Sequence, residues 1–396
     1  MNSFIIIGID DNQQQHFTPE MNELIAAGKI FSGGKRHHEI MCPLLPVPHQ
    51  WIDITVPLDN VFEAYKKFGQ VIVFASGDPL FYGFANTIQN RLPEAKIKVY
   101  PAFNSLQTLA HGTVMPYHDM HVVSLTGRSW AQFDEALITG YNKIGVLTDK
   151  KEHTPSHIAK RMLDYGYDNY TMTVGELLGN KEKEKISVVT LQEAIETNFA
   201  YPNNLILQKI FDRPRPFGIP ENEFHLLDGR IKMITKMPVR LITLSLLDLR
   251  NKSVLWDIGA CTGSVSIEAK LQFPHLKVIA FEKRKNGREL MENNSRKFGT
   301  PGIKIIIDDF TDANLTGYPY PDAVFIGGHG GKLVEIINRI KDILHENGVI
   351  VFNSVSEESR QLFLESLAIN KLKLNQSISV KVNDHNTIEI MQAYKR

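Results

Sequence analysis

Disulfide pairs, membrane spans and a surplus of one charge are all missing from this chain. Its 396 residues include only two cysteines, Cys42 and Cys261, which are too few for a disulfide framework and lack metal-ligand spacing. No stretch reaches the roughly 18 uninterrupted apolar residues of a membrane span. Lys plus Arg number 44 and so do Asp plus Glu, whereas proteins that neutralise many phosphates usually carry a basic surplus. We therefore expect a cytoplasmic protein with no metal site, no membrane segment and no nucleic-acid partner.

The length and the residue pattern indicate two α/β domains. The chain is longer than one core usually supports, and hydrophobic residues make up 43% of it, as in ordinary globular proteins. Up to about residue 208, short β-branched runs alternate with amphipathic stretches, the rhythm of an α/β domain. The segment 212–220 concentrates proline and glycine directly after a strand, which is typical of an interdomain connection. The predicted domains are 1–210 and 211–396.

Strands and helices can be placed in both halves. The first half has predicted strands at 4–9, 71–75, 97–100, 121–125, 144–148, 171–174, 186–190 and 204–209. Its predicted helices lie at 59–68, 82–91, 104–112, 130–138 and 155–165. The second half has five buried strands, at 253–258, 277–281, 303–307, 322–326 and 348–353. Room for a crossover helix after each of these five predicts a doubly wound parallel sheet.

The sharpest local motif is a glycine-bearing turn, Asp257-Ile258-Gly259-Ala260-Cys261-Thr262-Gly263-Ser264, between a predicted strand and a helix. Glu282 ends the next strand, where a carboxylate can accept hydrogen bonds from both hydroxyls of a ribose. Asp257 suits the cationic methionine portion of S-adenosylmethionine, and Asp308 and Asp309 at the end of the third strand can reach an adenine amine. The G-x-G-x-x-G spacing of dinucleotide-binding loops is absent. The combination predicts a site for an adenosyl ligand.

The second half also carries a family resemblance. The segments GIPENEFHLLDGRIKMITKMPVR, LWDIGACTGSVSIEA, AFEK and PDAVFIGGHGG resemble the decarboxylating half of precorrin-6Y methyltransferases, a class I methyltransferase, over about 218–396. The family usually has glycine where Cys261 stands. The resemblance implies a segment that closes over the cofactor, and with the motif above it gives these cofactor-binding residues: Thr235, Asp257, Gly259, Ala260, Cys261, Thr262, Gly263, Glu282, Asp309 and Phe310.

Four loops of the first half follow predicted strands or end them: Gly33-Gly34-Lys35-Arg36, the loop Ser76-Gly77-Asp78-Pro79-Leu80-Phe81-Tyr82-Gly83, Pro101-Ala102-Phe103-Asn104-Ser105 and Ser124-Leu125-Thr126-Gly127-Arg128. Ligands of α/β sheets gather at that edge. Together the loops resemble the tetrapyrrole methylase superfamily over about 3–208, although Asp10 stands where relatives usually have glycine. The resemblance implies two α/β subdomains that hold S-adenosylmethionine through Gly77, Asp78, Pro79, Leu80, Phe81, Asn104 and Ser105.

The two resemblances imply a tetrapyrrole methylase fold followed by a Rossmann-like class I methyltransferase domain, and a macrocyclic substrate bearing many carboxylates. The implied reaction is methylation of precorrin-6B or its cobalt form at carbon 5 by the first half and at carbon 15 by the second, with decarboxylation of the ring C acetate. Candidate substrate-binding residues are Gly34, Lys35, Arg36, Arg128 and Gly328, and candidate catalytic residues are His329, Lys236 and Arg240, with Lys232 nearby in the chain. A solvated surface charge is an equally good interpretation of any single cation among them.

Two alternatives remain at this point. An RNA or protein methyltransferase would keep the enzyme class and change the substrate, although the neutral charge and the lack of a basic stripe count against it. A tetrapyrrole-binding protein with only one active methyltransferase site would fit the substitution at Asp10. The resemblances also imply a homo-oligomer.

Overall fold

A computed structural model describes residues 2–230, 233–383 and 386–395 of the chain. The chain divides into two compact units. The first comprises 1–128, 142–160 and 170–210, and the second comprises 129–141, 161–169 and 211–396. Each unit is an α/β assembly, which confirms the predicted fold class.

The first sheet of the first unit is entirely parallel, in the order β3-β2-β4-β1-β5. Its strands are β1 Ser3–Ile9, β2 Ile30–Gly33, β3 Gln50–Asp53, β4 Gln70–Ser76 and β5 Lys96–Tyr100. The isoleucine run of β1 is buried on both faces of this sheet, as expected for a central parallel strand. The connecting helices are α1 Pro19–Ala27, α2 Lys35–Met41, α3 Asp59–Tyr65, α4 Phe84–Arg91 and, after β5, α5 Ser105–Gly112.

The second sheet of this unit is mixed, in the order β6-β7-β10-β8-β9. Its strands are β6 His121–Ser124, β7 Lys143–Leu147, β8 Tyr170–Glu176, β9 Lys185–Thr190 and β10 Asn203–Lys209. β6 and β7 are parallel, whereas β10 lies antiparallel between β7 and β8, which pairs in turn with β9. The helices along this part of the chain are α6 Ala131–Thr139, α7 Pro155–Asp164 and α8 Leu191–Glu196. The first unit therefore has the two-sheet plan expected of two α/β subdomains.

The second unit contains a seven-stranded sheet in the order β13-β12-β11-β14-β15-β17-β16. Its strands are β11 Val254–Ile258, β12 Lys277–Glu282, β13 Lys304–Ile307, β14 Ala323–Ile326, β15 Val349–Ser354, β16 Lys373–Val380 and β17 Ile388–Tyr394. The first five are parallel and β17 is antiparallel to both of its neighbours. The helices after residue 211 are α9 Met237–Leu247, α10 Ser264–Gln272, α11 Gly287–Phe298, α12 Leu333–Ile343 and α13 Glu357–Ile369, and α6 also belongs to this unit.

Apolar clusters cover both faces of the seven-stranded sheet. Trp256 and Ile258 of β11 face one cluster, which includes residues of α12 and α13. Leu255, the residue between them, faces the other, which includes residues of α9 and α10. Burial on both faces explains why β11 is a continuous apolar run apart from Asp257.

Most predicted strands are confirmed to within a residue or two, but several elements were missed. These are β2 and β3, which are four residues long, β16, which carries many polar side chains, and β17, its antiparallel partner. No helix among the described residues is long and apolar enough to cross a membrane. Within those residues, no group of three or more His, Cys, Asp or Glu side chains is arranged to hold a metal ion.

Candidate functional site

The loop between β11 and α10 makes a tight backbone cradle. Gly259 and Gly263 have φ of +74° and +73°, a left-handed conformation that glycine adopts without strain. A Cβ at Gly259 would lie 2.4 Å from the carbonyl oxygen of Gly328, so the loops after β11 and β14 touch. These two strands are neighbours at the point where the strand order reverses, which is where doubly wound sheets bind ligands.

Glu282, at the end of β12, is fixed against this loop. Its side chain is 2% exposed, and Oε2 accepts a hydrogen bond from the backbone N–H of Cys261 at 2.9 Å. Oε1 accepts from the backbone N–H of Arg284 at 2.9 Å and from the Arg284 guanidinium at 3.1 Å. These bonds set the orientation of the carboxylate before any ligand arrives.

A pocket of about 550 Å³, a volume that includes its opening to solvent, lies at this edge of the sheet. It brings together six predicted site residues: Gly259, Glu282, Asp309, Phe310, Gly328 and His329. It also includes Asp308, which was predicted together with Asp309, and Lys283 and Arg284, which the sequence did not single out as pocket residues. A Cβ at Gly330 would lie 2.5 Å from Nζ of Lys283, so that side chain reaches the loop after β14. The pocket therefore mixes fixed carboxylates with cations.

Asp257 lies one residue before the pocket wall and is almost fully buried. Its Oδ2 accepts hydrogen bonds from the backbone N–H and the hydroxyl of Ser266, at 3.2 and 2.6 Å. Oδ1 is buried and has no hydrogen-bond partner among the described residues. Burial raises the pKa of Asp257 to about 6, because a buried carboxylate loses its hydration.

The other predicted residues of the glycine loop shape the turn and do not line the pocket. The backbone N–H of Ala260 donates to the Phe281 carbonyl at 3.0 Å, and the Thr262 carbonyl accepts from the Asn294 side chain at 3.0 Å. Cys261 adopts φ +50°, an unusual angle for a side chain with a Cβ. Burial, and next the Glu282 carboxylate, raise the pKa of the Cys261 thiol to about 11, so it stays protonated.

Asp309 and Phe310 follow β13 and line the pocket, but neither is free to adjust. Asp309 accepts from Lys332 at 3.0 Å and from the Thr311 hydroxyl at 2.8 Å, and the Lys332 bond is the main reason that the pKa of Asp309 falls to about 2. Phe310 is 4% exposed, with its ring edge-on to Phe281 at 5.0 Å between centroids. Asp309 is therefore an ionised acceptor whose two oxygens are already engaged.

His329 lies in the glycine-rich loop after β14 and is half-buried. Its Nδ1 accepts a hydrogen bond from the backbone N–H of Gly331 at 3.2 Å, so the hydrogen of the neutral ring is on Nε2. Burial lowers the pKa of His329, which favours the neutral ring near pH 7. A neutral imidazole in the pocket wall can donate or accept a proton there.

The assignment of Arg240 as a catalytic residue is wrong. Its side chain is 0% exposed and pairs with the equally buried Glu268 of α10. It also donates to the backbone carbonyls of Thr235 and Ile219. With these acceptors on the protein itself, Arg240 cannot contact a substrate and instead ties the segment before α9 to α10.

Thr235 and Lys236, the residues directly before α9, are half-buried and do not belong to the pocket wall. Their contacts with a ligand remain predictions. Lys232 lies outside the described residues.

In the first unit, three loops meet at the carboxyl edge of the parallel sheet. A Cβ at Gly8 would lie 2.0 Å from the Gly77 carbonyl oxygen and 2.6 Å from the Ala102 nitrogen. Gly77 itself has φ +59° and lies against the backbone of Asn104. The loops after β1, β4 and β5 are therefore packed backbone to backbone at this edge of the sheet.

The predicted cofactor-binding residues of this unit are ordered by local hydrogen bonds. The Asp78 carboxylate accepts from the Leu80 backbone at 2.9 Å, and Asn104 caps α5, the helix that starts at Ser105. Pro79 is buried and Phe81 packs against the cluster around Leu106. Leu80 is 54% exposed beside them, so an apolar side chain borders this loop.

The predicted cations of the first unit have different surroundings. Gly34 precedes α2, and Arg36 on that helix donates to Asp11 and to the hydroxyl of Ser76, both at 3.0 Å. Lys35 is exposed. Arg128 is exposed and stacks over the ring of Tyr82, with 4.9 Å between the guanidinium carbon and the ring centroid. Arg36 and Arg128 therefore border the same loop, 76–83, from which Ser76 and Tyr82 come.

Some functional residues were not identified from the sequence. Ser266, which holds Asp257, and Lys332, which holds Asp309, lie in helical or loop positions with no motif of their own. Arg284 follows Glu282 by two residues, and that proximity was the one available indication. The sequence identifies the charged residue but not the partner that fixes it.

Comparisons with known proteins agree with both units. Residues 225–395 match the precorrin methyltransferase domain and residues 4–195 match the tetrapyrrole (corrin/porphyrin) methylases. The chain is 28% identical over 365 residues to a decarboxylating precorrin-6Y C(5,15)-methyltransferase of a Sinorhizobium species, covering 91% of this chain and 86% of that protein. It is 39% identical over 142 residues to the decarboxylating cobalt-precorrin-6B C(15)-methyltransferase of Salmonella typhimurium, covering 36% of this chain and 72% of that protein.

A crystal structure of a precorrin-6Y C5,15-methyltransferase from Geobacter metallireducens is 33% identical and covers 47% of this chain and 100% of that chain, with a TM-score of 0.42. The seven-stranded sheet with its pocket, together with the tetrapyrrole methylase unit, defines a methyltransferase of two parts. The chain belongs to the family of decarboxylating precorrin methyltransferases.

Proposed function

We propose that this chain methylates precorrin-6B or its cobalt form at carbon 5 and carbon 15 and removes carbon dioxide from the ring C acetate, giving precorrin-8 or its cobalt form in cobalamin biosynthesis. Residues 1–210 carry the carbon 5 methylation and residues 211–396 carry the other two reactions. The observation that carries the proposal is the pocket at the strand-order reversal, walled by Gly259 and Glu282, in a chain with both family regions.

S-adenosylmethionine is the proposed methyl donor, and the residues present fit it. The cradle at Gly259 has no room for a Cβ, so the backbone can approach a ligand closely. Glu282 offers an oriented carboxylate for ribose hydroxyls. The buried Oδ1 of Asp257, which has no hydrogen-bond partner in the described part of the chain, suits a nearby cationic group. When bound, S-adenosylmethionine supplies an activated methyl group.

The contribution of the protein is alignment, exclusion of water and proton transfer. Methyl transfer to an electron-rich ring carbon gains most from holding the reactants in line. Loss of carbon dioxide leaves an electron pair that the conjugated ring accepts, and one proton then converts the remaining CH₂ into a methyl group. The neutral ring of His329 in the pocket wall is the proposed carrier of that proton.

The cations of the site are proposed to bind the substrate carboxylates. Lys283 and Arg284 line the pocket of the second unit, and Arg36 and Arg128 border the loop after β4 in the first unit. Guanidinium groups suit carboxylates because they can donate two parallel hydrogen bonds. The proposal also includes a cytoplasmic location, a homo-oligomer, and no membrane or nucleic-acid partner.

An isotope-labelling experiment that follows the transferred methyl groups tests this function. With precorrin-6B and S-adenosylmethionine carrying a ¹³C methyl group, carbon NMR of the product should show two enriched methyl signals, at carbon 5 and carbon 15. A single enriched signal would show that only one of the two units is an active methyltransferase. No enriched signal, with labelled methyl accepted by an RNA or protein fraction instead, would refute the tetrapyrrole assignment.

A further inference from the structure

Helix α11 contacts several parts of the proposed methyl donor site in the second unit. A Cβ at Gly287, the first residue of the helix, would lie 2.5 Å from Cγ of Glu282. One turn further on, Met291 lies against the glycine loop, because a Cβ at Gly263 would lie 3.1 Å from its Cγ. Asn294 follows Met291 by three residues and therefore lies on the same face of the helix. This face of α11 supports both the acidic residue and the glycine loop.

Asn294 joins the glycine loop to the segment that precedes α9. Its side chain is fully buried. Nδ2 donates to the Thr262 carbonyl at 3.0 Å and to the His225 carbonyl at the same distance. Oδ1 accepts from the backbone N–H of His225 at 2.8 Å. Both amide hydrogens are therefore used, one on the glycine loop and one on the segment before α9.

These three partners require a side-chain amide in one orientation. Two carbonyl oxygens need two N–H donors on one atom of the side chain, and a backbone N–H needs an acceptor on the other. An ionised aspartate offers no donor, and a leucine offers neither a donor nor an acceptor. Because the amide is buried, water does not replace a bond that a substitution removes, and the abandoned backbone group stays unsatisfied.

The segment held by this amide, residues 221–226, is attached at two further places. The Phe224 ring packs against Phe298 of α11, with 4.7 Å between the ring centroids. The Glu221 carboxylate accepts from the backbone N–H of Met237, the first residue of α9. The glycine loop, α11 and the start of α9 are therefore linked through this one segment.

We propose that Asn294 is a positioning residue for the methyl donor of the second unit, because its amide clamps the 221–226 segment to the glycine loop and keeps that loop in the conformation that binds S-adenosylmethionine. The inference rests on the proposed function of this unit. Asn294 does not line the pocket, so it acts through the loop. The Thr262 carbonyl that it holds adjoins Gly263, whose φ of +73° shapes the turn. A loop fixed in advance loses less entropy when the ligand binds.

The test measures KM for S-adenosylmethionine and kcat of carbon 15 methylation in the full chain carrying Asn294→Leu, whose new side chain is of similar size but makes none of the three bonds. We expect KM to rise roughly 10- to 100-fold, the range for leaving buried partners unsatisfied. At saturating methyl donor, kcat should change less than about twofold, because the lost interaction acts on binding. Asn293→Leu, at the exposed neighbouring position, is the matched control and should change neither constant.

A second pair of variants tests the same contact without altering the buried side chain. His225→Pro removes the backbone N–H that donates to Asn294, and Phe224 before it has φ −86° and ψ 144°, which suit a residue before proline. His225→Ala keeps that N–H, and the side chain that it replaces is exposed. We expect KM at carbon 15 to be about fivefold or more higher in His225→Pro than in His225→Ala. This pair decides the inference if Asn294→Leu does not fold.

A lower kcat and fewer bound equivalents in Asn294→Leu, with KM unchanged, would mean that Asn294 only stabilises the fold, and would overturn the inference. Equal KM values in the two His225 variants would overturn it as well. If the wild-type chain binds no S-adenosylmethionine in its second unit, the proposed function fails and the inference fails with it. Equally tight binding by the wild type and by Asn294→Leu refutes the inference alone.

Discussion

The carboxylate of Glu282 and the backbone N–H of Cys261 form a 2.9 Å hydrogen bond that joins the end of β12 to the loop after β11. The two elements are adjacent parallel strands, so their carboxyl ends lie side by side. The bond makes the acidic residue and the glycine loop one preformed unit. A ligand binds more tightly to such a preformed site, because no entropy is lost in ordering these groups when it binds.

Glu282→Gln should weaken binding of S-adenosylmethionine to the second unit tenfold or more, because an amide keeps the shape but offers one acceptor oxygen instead of two. Isothermal titration of the full chain should fall from two tight equivalents to one. Carbon 5 methylation is the internal control and should persist while carbon 15 methylation and decarboxylation fall together. Two tight equivalents in the variant would contradict the role of Glu282.

Asp257→Asn should stabilise the fold and impair the site. Burial raises the pKa of Asp257 from 3.8 to about 6, so the folded state prefers the protonated form and stability is lost as pH rises from about 4 to 6. Asparagine removes this loss while it can still accept from Ser266. We expect a gain of about 1–2 kcal/mol in unfolding free energy at pH 7.5 and little gain at pH 4.

The accompanying loss of function should be just as clear. A cationic ligand group needs the ionised carboxylate, so S-adenosylmethionine binding to the second unit should tighten from pH 5 to pH 7 in the wild type. Asp257→Asn should bind weakly at both pH values. A variant that is less stable than wild type at pH 7.5 would show that the burial of this charge costs nothing.

Cys261→Gly should raise the melting temperature. Cys261 has φ +50°, where a side chain is strained and glycine is not, and we expect a gain of about 0.5 kcal/mol or more. The matched control is Cys42→Gly, because Cys42 has φ −48° and should lose about that much. Equal changes in the two variants would show that the loop angle is not a source of strain.

Arg240→Met should strongly lower the free energy of unfolding of the second unit, with no direct effect on the catalysed reaction. It leaves the Glu268 carboxylate buried without its partner, which typically costs 3–5 kcal/mol. Arg284→Met, which breaks the partly exposed pair with Glu282, is the control and should cost less than about 1 kcal/mol. Denaturant unfolding measures both. Loss of activity in an Arg240→Met variant that is as stable as the wild type would restore a catalytic role to Arg240.

Strands and helices could be predicted wherever the spacing of hydrophobic residues along the chain identified the type of element. The run of β1 and the buried strands of the seven-stranded sheet are apolar because both faces are covered. β16 and β17 could not be found in this way, because the burial pattern of β16 is mostly exposed and its partner is antiparallel. β2 is only four residues long and ends in glycine, which hides it among turn residues.

The site residues that belong to a recognisable sequence motif could be predicted. Gly259 and Glu282 are recognisable because a turn after one strand and an acid after the next must meet at one edge. Arg240 was misread because a charged residue near a ligand loop resembles a substrate contact, while its buried partner Glu268 is 28 residues away on another helix. A pairing across that distance depends on packing, which no local pattern records.

Mass spectrometry of precorrin-6B, with and without cobalt, after incubation with S-adenosylmethionine and the purified chain is the decisive measurement of the proposed double methylation and decarboxylation. We expect a product with two added methyl groups and one carbon dioxide lost, whereas the Glu282→Gln variant should add one methyl group and lose no carbon dioxide. An unchanged mass for both forms of the substrate, from a chain that still binds S-adenosylmethionine, would contradict the proposed function.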